Sequence, residues 1–363
     1  MSTELRDQLQ TTMGDAYRLE RELGGGGMSR VFVAEDTALG RKVVVKVISP
    51  ELAAGVSNDR FRREILLAAQ LQHPHIVPVL TAGQTGGLPY FTMPFIEGRS
   101  LRARLDGEHA LPVVEAVGIL RDVARALAYA HEHGVVHRDI KPDNVLLSGG
   151  SAVVTDFGIA KAISSARAEG EGGTLTMVGT SLGTPSYMAP EQVAADPSAD
   201  HRADMYAYGV MAYEILTGKT PFHGRSPQAL LTAHLTETPA PLAQRAPEVP
   251  ATLAALVMRC LAKNPEDRPQ NATELLQTLD RLDVSGDWRV PTGAVVPRRR
   301  PRRAVIAGVA ALVAVLLVAG FLLARRWMTP DRAVAADVVA VVPFRVASAD
   351  ASLHYLREGM LDL

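Results

Sequence analysis

His137-Arg138-Asp139-Ile140-Lys141-Pro142-Asp143-Asn144 puts a carboxylate, an ammonium and an amide into one short loop. Those groups can hold a hydroxyl nucleophile beside a phosphate and a divalent cation. Asp139 can accept the hydroxyl proton, Lys141 can neutralise charge on a moving phosphoryl group, and Asn144 can ligate Mg2+ through its oxygen. The bland alternative is a polar turn, because His, Asp, Asn and Pro are common loop residues. Asp156-Phe157-Gly158 argues against it. Asp156 follows the strand-like Ala152-Val153-Val154-Thr155, and a carboxylate at a strand end is a usual place for a Mg2+ ligand near phosphates.

These groups need elements to position them. Tyr17 to Val47 predicts strand, glycine turn, strand, short loop and strand. Leu23-Gly24-Gly25-Gly26-Gly27-Met28-Ser29-Arg30-Val31 lies between the first two strands. Glycines let backbone N–H groups approach phosphate oxygens with no Cβ in the way. Lys46 in Val43-Val44-Val45-Lys46-Val47 is flanked by valines, which points one charge into a half-buried face rather than into solvent. Asn58 to Gln72 predicts an amphipathic helix with Phe61, Ile65, Ala68 and Leu71 on one stripe. Pro112 to His133 predicts a second helix, leading into the central loop. Asp204 to Leu216, Pro227 to Thr236, Ala251 to Ala262 and Ala272 to Leu282 predict further helices.

Taken in order, these motifs resemble the eukaryotic-type protein kinases, and most closely the bacterial membrane-anchored Ser/Thr kinases, over residues 17–282. The resemblance implies an α+β bilobal protein-kinase-like fold, with a small, mainly antiparallel β lobe and a larger helical lobe, and ATP with Mg2+ (or Mn2+) between them. It implies that Leu23 to Ser29 covers the phosphates and that Val31 and Val44 form an apolar ceiling over the adenine. It assigns Lys46 to the α- and β-phosphates, oriented by Glu64, and Asn144 and Asp156 to the metal. Met93 would be the gatekeeper, the Pro94 carbonyl and the Ile96 N–H the adenine contacts, and Asp139 the base. His137, Phe157 and Gly158 would be structural. Ser29 replaces the usual third glycine and Val44 the usual alanine. Neither change removes a charge the chemistry needs.

By the same resemblance, residues 159–187 form an activation loop, with Thr174, Thr176 and Thr180 as autophosphorylation sites and Arg138 as a partner for the phosphate. Thr184 is expected to bond Asp139 and Lys141, which favours Ser/Thr acceptors over Tyr. Asp204 would fix the catalytic-loop backbone, and Arg268 would pair with Glu191. A nucleotide-binding pseudokinase would need a lesion at Lys46, Asp139, Asn144 or Asp156, and none is present. A small-molecule phosphotransferase is disfavoured by Gly183-Thr184-Pro185-Ser186-Tyr187-Met188-Ala189-Pro190-Glu191, which resembles the peptide-binding shelf of the protein kinases.

Length and composition frame this reading. A chain of 363 residues predicts more than one domain. The net charge of −1 argues neither for nor against nucleic acid, and no nucleic-acid partner is expected. Cys260, the single cysteine, fits a reducing compartment. Ala304 to Ala324 carries no charge and as a helix would be about 30 Å long, enough to cross a bilayer. Arg298, Arg299, Arg300, Arg302 and Arg303 before it outweigh Arg325 and Arg326 after it, which places the amino-terminal side in the cytoplasm. The expected order is an extension (1–16), the kinase-like domain (17–282), a basic juxtamembrane linker (283–303), a transmembrane helix (304–324) and an extracytoplasmic segment (325–363). That last segment resembles the start of a TolB-like domain; a disordered tail is the alternative. The resulting picture is a single-pass inner-membrane protein, in contact with the bilayer, acting on Ser/Thr-bearing proteins and plausibly homodimeric.

Overall fold

Tyr17–Gly26 (β1), Ser29–Asp36 (β2) and Arg41–Ile48 (β3) run as an antiparallel meander. The computed structural model describes residues 2–26, 29–49, 53, 58–108, 110–158 and 185–282, all within one unit, Met1–Trp288. Thr81–Thr85 (β4) and Leu88–Pro94 (β5) complete a five-stranded sheet in the order β1-β2-β3-β5-β4.

Alternation along β3 builds two faces. Val43, Val45 and Val47 pack with Phe32, Ala34 and Leu19 on one face, and Ile48 packs with Phe91, Phe61 and Ile65 on the other. Phe61 and Ile65 lie on the helix Asn58–Ala69 (α2), which covers that second face. The first face is covered by Ser2–Met13 (α1), whose Leu9 and Met13 are buried in the same cluster. The sequence had suggested only an extension before residue 17. Its Leu5, Leu9 and Met13 recur every four residues, which gives α1 one apolar stripe. Polar contacts fasten it: Gln10 Nε2 donates to Tyr17 O at 2.8 Å and Gln10 Oε1 accepts from Leu19 N at 2.9 Å.

The chain then passes into a helical lobe. Arg99–Ser100 (β6), Leu101–Glu108 (α3) and Val113–Glu132 (α4) lead to the catalytic-type loop, and Val145–Ser148 (β7) and Ser151–Val154 (β8) close a small sheet in the order β6-β7-β8. At Gly98, with φ +151°, an added Cβ would collide with the Leu147 carbonyl oxygen, so the chain enters β6 only through glycine. Pro190–Val193 (α5), Arg202–Thr217 (α6), Pro227–Thr236 (α7), Leu242–Arg245 (α8), Ala251–Cys260 (α9) and Ala272–Asp280 (α10) follow. α6 is buried along nearly its whole length, from Ala203 to Leu216. An amphipathic pattern is therefore absent from it, and it forms the spine of the lobe.

Observed helices run one to three residues shorter than expected at several ends: α2 stops at Ala69, α9 at Cys260 and α10 at Asp280. Among the described residues no helix is long and apolar enough to cross a membrane. The expected linker, membrane span and extracytoplasmic segment lie outside the described residues, as do Thr174, Thr176, Thr180 and Thr184.

Candidate active site

Lys46 sits on β3 on the face opposite Val43, Val45 and Val47. Its ammonium meets the Asp156 carboxylate, Nζ to Oδ2 2.7 Å, although 110 residues separate them. Both side chains are largely shielded, at 17% and 12% exposure, so their attraction is weakly screened. Asp156 holds φ at +69°, a left-handed conformation that costs a non-glycine residue about 1–3 kcal/mol and recurs at functional sites. Its other oxygen, Oδ1, is buried with no hydrogen-bond partner among the described residues. A buried carboxylate oxygen left open is expensive unless something binds it.

The loop before β7 brings the second carboxylate. Asp139 Oδ2 accepts from Lys141 Nζ at 2.8 Å and from Asn144 Nδ2 at 3.1 Å. Asn144 Nδ2 also donates to the Asp139 carbonyl at 2.8 Å. The Asn144 amide is thereby turned so that its oxygen is the end left for a cation. Thr155 N donates to Asn144 O at 2.9 Å, which ties this loop to the strand that ends at Asp156. A hard cation between Asn144 and Asp156 fits this donor set: one amide oxygen and one carboxylate with an orphaned oxygen. When bound, Mg2+ would supply charge neutralisation to phosphate oxygens. Among the described residues no cluster of three His, Cys, Asp or Glu side chains forms a metal cage.

Asp204 supports the loop from beneath. It is fully buried on α6 and accepts from the backbone N–H of His137 (2.8 Å) and Arg138 (2.7 Å), while His131 Nε2 lies 2.8 Å away. Burial pushes this carboxyl up, but the His131 contact, the His137 ring and the Arg138 N–H outweigh it and hold the group below its usual range. Arg138 itself sits at φ +68°, so the loop is bent through a left-handed residue. Its guanidinium reaches Ala199 O at 3.5 Å. His137 is buried, bonds Thr155 O at 2.9 Å and meets Phe157 edge-on at 4.6 Å. Gly158 adopts φ +72° against Ala68 of α2.

The nucleotide-side expectations fall along the sheet. Gly24, Gly25 and Gly26 pair with Val31, Arg30 and Ser29 across the β1–β2 hairpin; Gly27 and Met28 lie outside the described residues. Ser29 and Val44 are buried, Val31 is partly buried and Leu23 is exposed. Val44 pairs with Met93, whose sulfur accepts from Thr155 Oγ1 at 3.4 Å. Pro94 ends β5, where its missing N–H costs no ladder bond, and Ile96 follows in the connection between the lobes. Glu64 lies partly buried on α2.

The structure brings Glu191 and Arg268 together, with Nη1–Oε1 at 2.6 Å and Nη2–Oε2 at 2.8 Å, both residues buried. Sequence reasoning missed a second polar knot. Arg102 on α3 forks onto Glu214 of α6 at 3.0 and 3.1 Å, reaches Tyr187 OH at 2.5 Å, and lies 3.7 Å from Asp143 in the catalytic-type loop. Tyr187 OH also donates to Glu214. Burial and Glu214 push the Tyr187 phenol far up, so it stays protonated. These partners stand 85 and 112 residues from Arg102, and no local pattern announces them.

The sequence pattern of the protein kinase domain matches residues 17–279. The chain is 41% identical over 276 residues to serine/threonine-protein kinase PknB of Mycobacterium leprae, covering 74% of this chain and 43% of that protein. A probable serine/threonine-protein kinase PknB of Corynebacterium glutamicum is 38% identical over 280 residues, covering 74% and 42%. The chain thus spans less than half the length of these curated relatives. Among solved structures, Rad53 1-466 in complex with AMP-PNP matches with TM-score 0.60 and 25% identity, over 72% of this chain and 64% of that one. A carboxylate with an open oxygen, a lysine held to it and a bilobal scaffold around them agree with that match: the chain belongs to the protein kinase domain family.

Proposed function

We propose that the chain is a Ser/Thr protein kinase that uses ATP and a divalent cation, Mg2+ or Mn2+. The observation that carries this is the meeting of Lys46 with Asp156 at 2.7 Å while Asp156 Oδ1 stays buried and unpartnered among the described residues. Asp139 takes the proton from the acceptor hydroxyl. Lys141 balances its charge, Lys46 (oriented by Glu64) steadies the nucleotide phosphates, and Asn144 and Asp156 hold the cation. The backbone at Pro94 and Ile96 takes the adenine. PknB-type relatives and the AMP-PNP-bound neighbour support these roles. Catalysis is chiefly positioning and charge stabilisation.

The same reading extends to autophosphorylation at Thr174, Thr176 or Thr180, with Arg138 taking the phosphate. It also extends to anchoring by residues 304–324 in the cell membrane with the kinase domain in the cytoplasm, and to transmembrane signalling through a homodimer. Incubation with Mg2+, labelled ATP and casein tests the core of it. Transfer to Ser or Thr is expected, and Asp139→Asn, Lys46→Met and Asp156→Ala should each reduce it by about a thousandfold or more with the circular dichroism spectrum unchanged. Full activity in any of the three breaks the assignment.

A further inference from the structure

The helical lobe holds a second polar chain, remote from the residues assigned to phosphate chemistry. Lys263 Nζ donates to Tyr206 OH at 3.3 Å, to Ala233 O at 3.2 Å and to His234 O at 2.8 Å. It also lies 4.7 Å from the centre of the Phe222 ring. An ammonium has only donors, so the Tyr206 oxygen accepts from Lys263 and its own proton turns to His234 Nδ1, 2.9 Å away. With Nδ1 accepting, the imidazole proton sits on Nε2. That atom is buried and has no hydrogen-bond partner among the described residues; the helix that carries it, α7, packs against the turn Pro185–Tyr187. Tyr206 and His234 are both fully buried.

This chain has a direction and an end point. It starts on a cation next to Arg268, crosses α6 at Tyr206 and ends in α7 at His234, where α7 packs against the turn Pro185–Tyr187. Burial and Lys263 keep His234 neutral at ordinary pH, so one nitrogen accepts while the other donates. Three neutral or donor-only groups of fixed polarity are an unusual thing to bury unless their orientation is used, since an apolar cluster would pack the same space without the desolvation cost.

We propose that Lys263, Tyr206 and His234 form a positioning relay that fixes α7 against the turn Pro185–Tyr187, and that this seat sets how tightly a protein substrate, rather than nucleotide, is held. The proposal rests on the kinase reading above, in which Pro185–Tyr187 belongs to the shelf that receives the peptide. The relay makes no hydrogen bond to Lys46, Asp139, Asn144 or Asp156 among the described contacts. It therefore acts through the shelf and not on the reacting atoms.

Initial-rate kinetics of the full chain with casein and ATP test it. Tyr206→Phe removes one oxygen and keeps the ring beneath Arg268; His234→Leu removes both ring nitrogens of the relay's last member. Each should raise KM for casein by about tenfold, the equivalent of about 1.4 kcal/mol, with KM for ATP and kcat within about twofold of wild type. His234→Gln, whose carbonyl can accept from Tyr206, should recover most of the loss. An unchanged KM for casein in Tyr206→Phe, a parallel rise in KM for ATP, or a Gln variant no better than Leu overturns the relay alone. Absence of any transfer by the wild-type chain overturns the kinase reading and the relay with it.

Discussion

Arg268→Ala is the most demanding test of the helical lobe. The guanidinium is fully buried and spends all of its N–H donors: Nε on Ala262 O at 2.8 Å, Nη1 on Glu191 and on Arg202 O at 2.9 Å, Nη2 on Glu191 and on Lys263 O at 3.0 Å. Truncation leaves the Glu191 carboxylate buried without a counter-charge, at about 3–5 kcal/mol. It also takes one donor away from each of three carbonyl oxygens, some of which water will reach through the cavity. A net loss of about 3–5 kcal/mol is a large part of the total of about 5–15 kcal/mol that a domain has. In a domain of this size each kcal/mol moves the melting temperature by about 2–4 °C, so a fall of about 6–20 °C is expected. Differential scanning calorimetry with urea titration reads it. The decisive comparison adds Glu191→Gln to Arg268→Ala. If an orphaned charge is the cause, the double variant recovers a substantial part of the loss. A melting temperature within about 2 °C of wild type in Arg268→Ala, or no recovery in the double variant, refutes the reasoning.

Deleting residues 1–13 uncovers the sheet face beneath Leu9 and Met13; at about 1.5–3 kcal/mol per buried side chain the small lobe should lose about 3–6 kcal/mol, read as a lower melting temperature and new binding of an apolar dye. Gly98→Ala forces a Cβ into the Leu147 carbonyl at a left-handed φ and should destabilise by about 2 kcal/mol or more, measured by urea unfolding. The His234 ring is pressed from its ordinary 6.5 down to about 4 by burial and by Lys263, with the Arg268 guanidinium and the Tyr206 hydroxyl packed nearby. Here the unfolded chain binds a proton that the folded chain refuses, so the stability from this residue is fully present above pH 6.5 and is lost as pH falls toward about 4, by about 3 kcal/mol. Urea midpoints compared at about pH 7 and about pH 4.5 should fall less in His234→Gln than in wild type, and equal falls would show that His234 does not titrate in this way.

What the sequence disclosed and what it hid divide along physical lines. Lys46, the Asp139 loop and Asp156 were legible because their signals are local: a charge alternating with valines, or polar residues clustered in a few positions beside a strand. α7 was legible to the residue because Ser226 caps it, with its side chain accepting from Ala229 N, and Pro227 opens it. α1 was legible in principle. Val43 to Ile48 is apolar on both faces, save Lys46, and such a strand needs a cover on each side. α2 covers one face, and the stripe Leu5, Leu9 and Met13 of α1 covers the other. The Arg102–Tyr187–Glu214 knot and the His234 relay were not legible. Each joins lone polar residues across long separations, and a lone histidine or arginine in a helix looks the same whether it is buried or solvated.

The buried and half-buried carboxylates of this protein separate by what their oxygens are doing. Asp204 is filled by two backbone N–H groups and His131, and Glu191 by both arms of Arg268. Saturated in this way, they can hold a loop or a helix in place but have nothing to offer a ligand. Asp139 and Asp156 are different. Each receives its protein donors on Oδ2 and has no donor to Oδ1 among the described residues. Lys141 and Asn144 offset part of the desolvation cost of the one, and Lys46 that of the other, through the Oδ2 atoms. A proton for Asp139 and a cation for Asp156 are what the Oδ1 atoms suit. The cations that half-neutralise these carboxylates also sit where phosphate charge would gather. Under the function proposed above, Lys46 and Lys141 would serve stability and phosphate chemistry through the same contacts.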